Sequence, residues 1–101
     1  MHTIAEIRIE PLGEGHSIRD SVERACAILD QRGLRHQVHD MGTNVAGELD
    51  AVLEGVAALH RRLHEDGATR LSTQVAIETR TDETPQLGDA TRKVTGSAEG
   101  A

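Results

Sequence analysis

The chain has 101 residues, the length of one ordinary domain, carries a formal net charge of −6 and contains no Phe, Trp or Tyr. This composition argues against nucleic-acid binding, which typically uses a basic surface and aromatic stacking platforms, and against binding to an anionic membrane. The sequence also has no apolar run of membrane-spanning length and no signal-peptide pattern, so we expect a cytoplasmic protein.

The first two predicted elements are a strand and a helix. Apolar and polar residues alternate over 3–11, which predicts a half-buried strand stopped by Pro11 and a glycine-rich turn. Ser17 is a good N-cap for a helix ended by Gly33, with Asp20 in the capping-box position. The apolar face expected for this helix comprises Ile18, Val22, Ala25, Cys26 and Leu29. We interpret the cysteine as a packing residue, with a reactive thiol as the alternative.

The rest of the chain is predicted to form two strands, a helix and a final strand. Residues 34–41 and 42–47 read as two strands with a bend at Gly42, and 69–80 reads as a long final strand. Between them, 48–66 is the strongest predicted helix, closed by the glycine that follows it. Its apolar side comprises Leu49, Val52, Leu53, Val56, Leu59 and Leu63.

The element order strand–helix–strand–strand–helix–strand predicts an α+β fold, the ferredoxin-like βαββαβ sandwich, over residues 1–82. Two helices would cover one face of an antiparallel sheet. The other face would carry Glu6, Arg8, Glu10, Gln74 and Glu78. Residues 83–101 are polar and are expected to form a flexible C-terminal tail, with one helical turn near Ala90–Val94.

Two histidine pairs are candidate metal ligands. His36 and His39 would point to opposite faces of a strand, which does not suit a shared metal. His60 and His64 lie at i and i+4 on a helix, a spacing at which both imidazoles could bind one metal ion. Two arginines stand between them and no further ligand is evident, so we interpret the pair as helix surface and expect no metal site.

No motif predicts an enzyme. Glu10 and Glu14 are possible paired carboxylates, although acids at exposed turns are common. An acylphosphatase-like hydrolase on the same fold would need an anion-binding loop with an arginine, and the turn after Pro11 contains a glutamate instead.

Four segments together resemble the thiamine-binding, YkoF-like family of small ferredoxin-like proteins, over residues 3 to about 83. They are AEIRIEPLGEG, the helix opened by Ser17, MGTNVAGELD and GATRLSTQVAIETRTDE. The resemblance implies a non-enzymatic carrier or sensor that binds thiamine or its hydroxymethylpyrimidine part. It also implies a homodimer that pairs sheets, or a homotetramer. The aromatic-free core independently favours association, because a small domain without aromatic residues buries little apolar area by itself.

On this resemblance the segment MGTN becomes a bent strand edge beside a pocket. Gly42 would let the ligand approach the backbone, and Thr43 and Asn44 would offer a hydroxyl and an amide to an aminopyrimidine. A methionine would pack against the ring, and a helix N-terminus and the last strand would add polar contacts. The ligand-binding residues expected are Ser17, Met41, Gly42, Thr43, Asn44 and Thr73.

One residue departs from the family pattern. Ala46 stands where family members often carry a glutamate, which puts recognition of a cationic or aminopyrimidine ligand in question. Two alternatives stay open: the MGTNVAG segment as a simple tight bend, and the protein as a structural or regulatory homo-oligomer without a small ligand.

Overall fold

A computed structural model of the chain describes residues 1–13, 15 and 17–95, without the side chain of residue 95. The elements are β1 (His2–Leu12), α1 (Ile18–Gln31), β2 (Arg35–His39), β3 (Gly42–Glu48), α2 (Leu49–Glu65), β4 (Arg70–Thr79) and α3 (Asp89–Thr95). Apart from the short α3, which corresponds to the helical turn expected in the tail, this is the predicted order. None of the helices in this part of the chain is long and apolar enough to cross a membrane.

The four strands form one sheet in the order β2-β3-β1-β4, with every neighbouring pair antiparallel. Helices α1 and α2 pack on the same face, so the ferredoxin-like sandwich is confirmed. The register of β1 against β4 places Glu6 and Arg8 opposite Ala76 and Gln74 on the face away from the helices, as predicted. We call this second surface the open face.

The sheet contains a notch. β1 pairs with β3 only as far as Ile7, opposite Thr43, but pairs with β4 as far as Leu12, opposite Arg70. Five residues of β1, 8–12, therefore have no strand on the β3 side among the described residues. We call the space beside them the notch.

The core lies between the sheet and the two helices and is entirely aliphatic. Alternate β1 side chains enter it, as the period-two pattern predicts. The core residues are Ala5, Ile7, Ile9, Ala25, Ile28, Leu29, Leu34, Val45, Val52, Leu59 and Leu63.

The apolar face predicted for α1 is only partly buried: Ala25 and Leu29 enter the core, but Ile18, Val22 and Cys26 do not. The buried residues are Ser21, Ala25, Ile28 and Leu29. Ile18 is 54% exposed, and Val22 and Cys26 are half-buried, because these three residues lie on the flank of α1 that faces the notch and the edge of β2. The fold therefore uses only part of this apolar stripe to form the core.

One residue of the α2 prediction is also wrong, since Leu53 is 44% exposed. The core side of the helix instead contains Gly55, because Leu34 occupies the space that a side chain there would need: a Cβ at this glycine would lie 2.7 Å from Leu34 Cδ1. Val56 packs against the core from its margin.

The predicted helix ends hold, but two strand ends differ: β2 covers only Arg35–His39 of the predicted 34–41, because residues 40–41 form the turn to β3. Ser17 Oγ accepts a hydrogen bond from the Asp20 backbone N–H, and Gly33 and Gly67 follow α1 and α2 with φ of 69° and 117°. Pro11, however, does not stop β1, which continues to Leu12. It lies beside the notch, where one side of the strand is a free edge that tolerates a residue without an N–H.

Candidate functional site

A cavity of about 330 Å³ occupies the notch, between β1, the β2–β3 turn and the first turns of α1. It exists because β3 begins at Gly42 while β1 continues past it. Its apolar wall comprises Ile7, Ile9, Ile18, Val22, Val38 and Met41. Its polar wall comprises Arg8, Glu10, His39, Asp40, Thr43, Ser72 and Gln74. We call it the notch cavity.

Among the residues that the structure describes, the charged side chains of the notch cavity are two carboxylates and one guanidinium. Glu10 and Asp40 outnumber Arg8, so the formal charge of this described part of the wall is negative, in a chain that is itself acidic. A wall of this sign favours a cationic ligand over an anionic one. This is the opposite of what an anion-binding hydrolase would need.

Thr43 is the most buried polar residue of the notch cavity, at 5% exposure. No hydrogen-bond partner for its hydroxyl is found within residues 1–13, 15 and 17–95. The hydroxyl oxygen is not a fully buried atom, so it is accessible from the cavity. A polar ligand atom there would give it a hydrogen-bond partner.

His39 holds the turn that forms one side of the notch cavity. Its Nδ1 lies 3.2 Å from the Met41 backbone nitrogen and accepts that N–H. In the neutral ring Nε2 therefore carries the proton, and it lies 3.1 Å from Asn44 Oδ1 and 3.4 Å from Glu6 Oε2. The His39 ring therefore contacts the β2–β3 turn through Nδ1 and side chains of the open face through Nε2. Sequence reasoning considered this histidine only as a metal ligand.

A side chain at Gly42 would crowd the point where β3 meets β1. A Cβ at this position would lie 3.0 Å from the Ile7 carbonyl oxygen and 3.1 Å from Arg8 Cγ. The first of these atoms belongs to the backbone, so β1 or β3 would have to shift by a few tenths of an ångström to accommodate a Cβ. Because Gly42 has no side chain, the β2–β3 turn can lie close to β1 at the edge of the notch.

The structure brings three of the six predicted ligand-binding residues together: Met41, Gly42 and Thr43 line the notch cavity. Ser17 is adjacent to the cavity rather than in its wall, and its hydroxyl caps α1. The next residue, Ile18, contributes to the wall instead.

The other two predicted residues lie elsewhere. Asn44 follows Thr43 in a strand, so its side chain points to the open face, where it accepts from His39. Thr73 lies on the helix-facing side of β4, and its Oγ1 is 3.0 Å from His60 Nδ1. Ala46, the position that departs from the family pattern, shares the open face with Asn44.

A second cavity, of about 280 Å³, lies between the open face and the C-terminal segment 80–93. Ile4, Gln37 and Asn44 contribute to its floor, and Leu87 contributes to the opposite wall. At the start of this segment Arg80 Nε lies 2.9 Å from Asp82 Oδ1 and donates a hydrogen bond to it. This hydrogen bond from the guanidinium holds the pKa of the Asp82 carboxyl below its usual value. We call it the open-face cavity.

Three other features that the sequence raised are a reactive cysteine, a pair of carboxylates and a metal site. Cys26 is half-buried near Val38, on the flank of α1. Burial and the nearby Asp30 carboxylate raise the pKa of its thiol. The higher pKa disfavours the reactive thiolate. Glu14, proposed as a partner of Glu10, lies outside the described residues. No cluster of three or more His, Cys, Asp or Glu with metal-binding geometry is found in the part of the chain that the structure describes.

Comparison with known proteins gives a consistent group. The family model of the thiamine-binding proteins matches residues 5–95. A UPF0045 protein of Synechocystis is 33% identical over 94 residues, which cover 93% of this chain and 78% of the relative. A solved structure of a hypothetical protein from Methanocaldococcus jannaschii superposes with a TM-score of 0.80 at 26% identity, covering 94% of this chain and 96% of that one. A Thermotoga maritima protein, described as a candidate thiamine biosynthesis or salvage protein, gives 0.79 at 21% identity, covering 93% and 99%.

Proposed function

This chain belongs to the family of thiamine-binding proteins, and we propose that it binds thiamine, or the hydroxymethylpyrimidine half of thiamine, in the notch cavity. Binding is non-covalent, and the protein acts as a carrier or sensor rather than as an enzyme. The observation that carries this proposal is the family match over residues 5–95, which includes every element that surrounds the cavity.

The size and walls of the notch cavity support the proposal. Its volume of about 330 Å³ falls within the roughly 300–1,000 Å³ typical of small-molecule sites. Thiamine is a flat aminopyrimidine joined to a cationic thiazolium ring. Ile7, Val38 and Met41 offer apolar and thioether surface to a flat ring, in a chain without aromatic side chains. The carboxylates of Glu10 and Asp40 suit the cationic ring.

The backbone of β1 offers the hydrogen bonds that an aminopyrimidine edge requires. Beyond Ile7, the side of β1 that faces the notch is a free strand edge among the described residues, with alternating N–H and C=O groups. The Thr43 hydroxyl adds one side-chain donor and acceptor. The small residues of the β2–β3 turn leave this edge open to the ligand.

The test is a thermal-shift titration of the whole chain with thiamine, its pyrimidine half and its thiazole half. A ligand that binds only the folded state at 100 times its Kd stabilises that state by about 2.7 kcal/mol. We therefore expect the melting temperature to rise with thiamine and with the pyrimidine half. No rise with either at millimolar concentration would contradict the proposal.

Two variants at consecutive positions locate the site. Thr43→Val keeps the side-chain shape but removes the hydroxyl from the notch cavity, so we expect it to reduce the thiamine-induced rise. Asn44→Ala changes the opposite face of the same strand, so most of the rise should persist. The reverse pattern would move the site to the open-face cavity and overturn the location proposed here.

We also propose that the chain forms a homodimer or homotetramer. Val38 and Met41 are 57% and 63% exposed, and they lie at the end of the edge strand β2, beside the half-exposed flank of α1. Apolar side chains on a free strand edge are an association surface. Sedimentation equilibrium should give a mass of two or four chains. A monomer at micromolar concentration would contradict this, whereas an oligomer without a thiamine response would favour a purely structural role.

A further inference from the structure

His60 and His64 of α2 present their imidazoles together above β4. His64 Nδ1 lies 2.7 Å from the Ala68 carbonyl oxygen, and because a carbonyl only accepts, this nitrogen carries the proton. In the neutral ring the lone pair is therefore on Nε2. His60 Nδ1 lies 3.0 Å from Thr73 Oγ1, which can accept its N–H in the same way. Neither Nε2 has a hydrogen-bond partner within the described residues.

The separation of the two rings fits a shared metal ion. Their centres are 5.1 Å apart, with an interplanar angle of 67°. Two imidazoles bound to one tetrahedral ion at about 2.0–2.1 Å have their ring centres roughly 3.2 Å from it, and so about 5.2 Å from each other. The centre-to-centre distance of the two rings therefore matches that of two imidazoles bound to one ion.

The outer contacts of the pair are compatible with a metal site. Histidines that bind metals usually donate their other ring N–H to a carbonyl, carboxylate or hydroxyl oxygen, which fixes the tautomer and the ring orientation. Here Ala68 and Thr73 provide these acceptors, one from the connection between α2 and β4 and one from β4 itself. The sequence alone could not show either contact.

The two intervening arginines do not exclude a cation. Arg62 Nε lies 3.3 Å from Asp66 Oδ1, so its charge has a partner. Arg61 lies about 100° around the helix axis from His60 and about 60° from His64, but its side chain is exposed, so the guanidinium can extend into solvent. With two protein ligands, the other coordination positions of the ion belong to water, which makes the site exchangeable rather than structural.

We propose that Nε2 of His60 and Nε2 of His64 bind one divalent transition-metal ion of the class that prefers imidazole, such as Zn²⁺, Ni²⁺ or Cu²⁺. This site lies on α2, away from the notch cavity, and does not depend on the proposed ligand function.

The test is a calorimetric titration of the whole chain with ZnCl₂ in a buffer that does not chelate metals. We expect saturable binding of one ion per chain, reversed by EDTA. His60→Gln and His64→Gln should each weaken binding at least 10-fold, since each leaves a single imidazole. His64 is exposed, so its replacement leaves the core intact even if the His60 variant fails to fold. His2→Gln, which removes an exposed histidine of β1, is the matched control and should bind as the parent does.

Thr73→Val tests the outer contact while leaving both imidazoles in place. Loss of such a partner typically weakens metal binding about 10–100-fold, so we expect a decrease in that range. The ¹⁵N resonances of Nε2 in both rings should shift with Zn²⁺, with smaller changes at Nδ1. Absence of saturable binding, unchanged affinity in both glutamine variants, loss of binding in His2→Gln, or one ion per two chains would each overturn the proposal.

Discussion

Leu34 enters the core between Gly47 of β3 and Gly55 of α2. A Cβ on the first glycine would lie 2.9 Å from Leu34 Cδ2, and one on the second would lie 2.7 Å from Leu34 Cδ1. Because neither glycine has a side chain, Leu34, which is only 7% exposed, packs against both α2 and β3. The helix and the sheet therefore approach each other closely at this point of the core.

At the residue scale, we expect Gly55→Ala to lower the free energy of unfolding by about 1 kcal/mol. Alanine in a helix interior ordinarily gains about 0.8–1 kcal/mol over glycine, but an added methyl in a filled core costs about 1–3 kcal/mol. Urea denaturation measures the difference. Leu34→Val removes the clashing atoms, so the double variant should be more stable than the sum of the two single effects. Simple additivity would show that the two sites do not interact.

Thr3 gives a second prediction at this scale. The residue is fully buried, and its Oγ1 has no hydrogen-bond partner among the described residues. Thr3→Val should therefore raise the free energy of unfolding by about 1 kcal/mol, because a buried unpaired hydroxyl costs about 1–3 kcal/mol. Thr3→Ser keeps the hydroxyl and removes the methyl, so it should lower stability. A valine variant less stable than the parent in urea would reveal a partner for the hydroxyl.

At the scale of elements, one ion pair links α1 to the end of α2. Arg24 Nη1 lies 2.8 Å from Asp66 Oδ2, and Arg62 adds a second contact from within α2. The hydrogen bond from Arg24 is the main cause that lowers the pKa of the Asp66 carboxyl in the folded protein below its ordinary value of 3.8. This stabilisation is therefore fully present above that value and is lost as the pH falls through the lower, folded-state pKa.

We expect Asp66→Asn to be less stable than the parent at pH 7 and to approach the stability of the parent below about pH 4, because asparagine does not titrate. Urea denaturation across the pH range from about 7 to 3 measures this convergence. The control is Glu65→Gln, an exposed neighbour with no ion pair in the described part of the chain. Parallel curves for Asp66→Asn and the parent down to pH 3 would rule out Arg24–Asp66 as an acid-sensitive link.

At the scale of the whole molecule, the C-terminal segment is separate from the core. Every core residue, and every side chain packed against the core, lies between Ala5 and Val75. We therefore expect deletion of residues 83–101 to leave a cooperative fold and to shift the melting temperature by less than about 4–8 °C, the change that roughly 1 kcal/mol makes in a domain of this size.

The same deletion separates the two cavities. The notch cavity uses no residue after Gln74, whereas the open-face cavity depends on residues 83–93. If thiamine binds in the notch cavity, the truncated chain should keep its full thermal response. A folded truncated chain that no longer responds would place the ligand on the open face.

Sequence reasoning predicted the elements well because each one is local. Alternation over 3–11 specifies a strand wherever it packs, and Ser17, Gly33 and Gly67 fix helix ends through hydrogen bonds and backbone conformation within a few residues. Errors arose where neighbours in space decide burial. Leu53 fits an apolar stripe, but the helix turns a glycine to the core because Leu34 fills that space.

The candidate site was predicted only in part for the same reason. Met41, Gly42 and Thr43 were identified from the composition of a short segment together with the family resemblance. Asn44 was expected beside Thr43, but side chains alternate along a strand, so Asn44 lies on the opposite face, at the open-face cavity. The notch arises because two neighbouring strands have unequal lengths, and this depends on register rather than on any local pattern.

By itself, then, the sequence determined the order of strands and helices, the ferredoxin-like arrangement and the family, because periodicity, capping and turn residues act over short distances. Only the tertiary structure decided where the cavities lie, which face each polar residue occupies, and that His60 and His64 have oriented rings. These properties depend on contacts between residues far apart in the chain, such as Thr73 with His60 and Thr43 with Ile7. No local pattern encodes them, because they follow from strand register and helix packing.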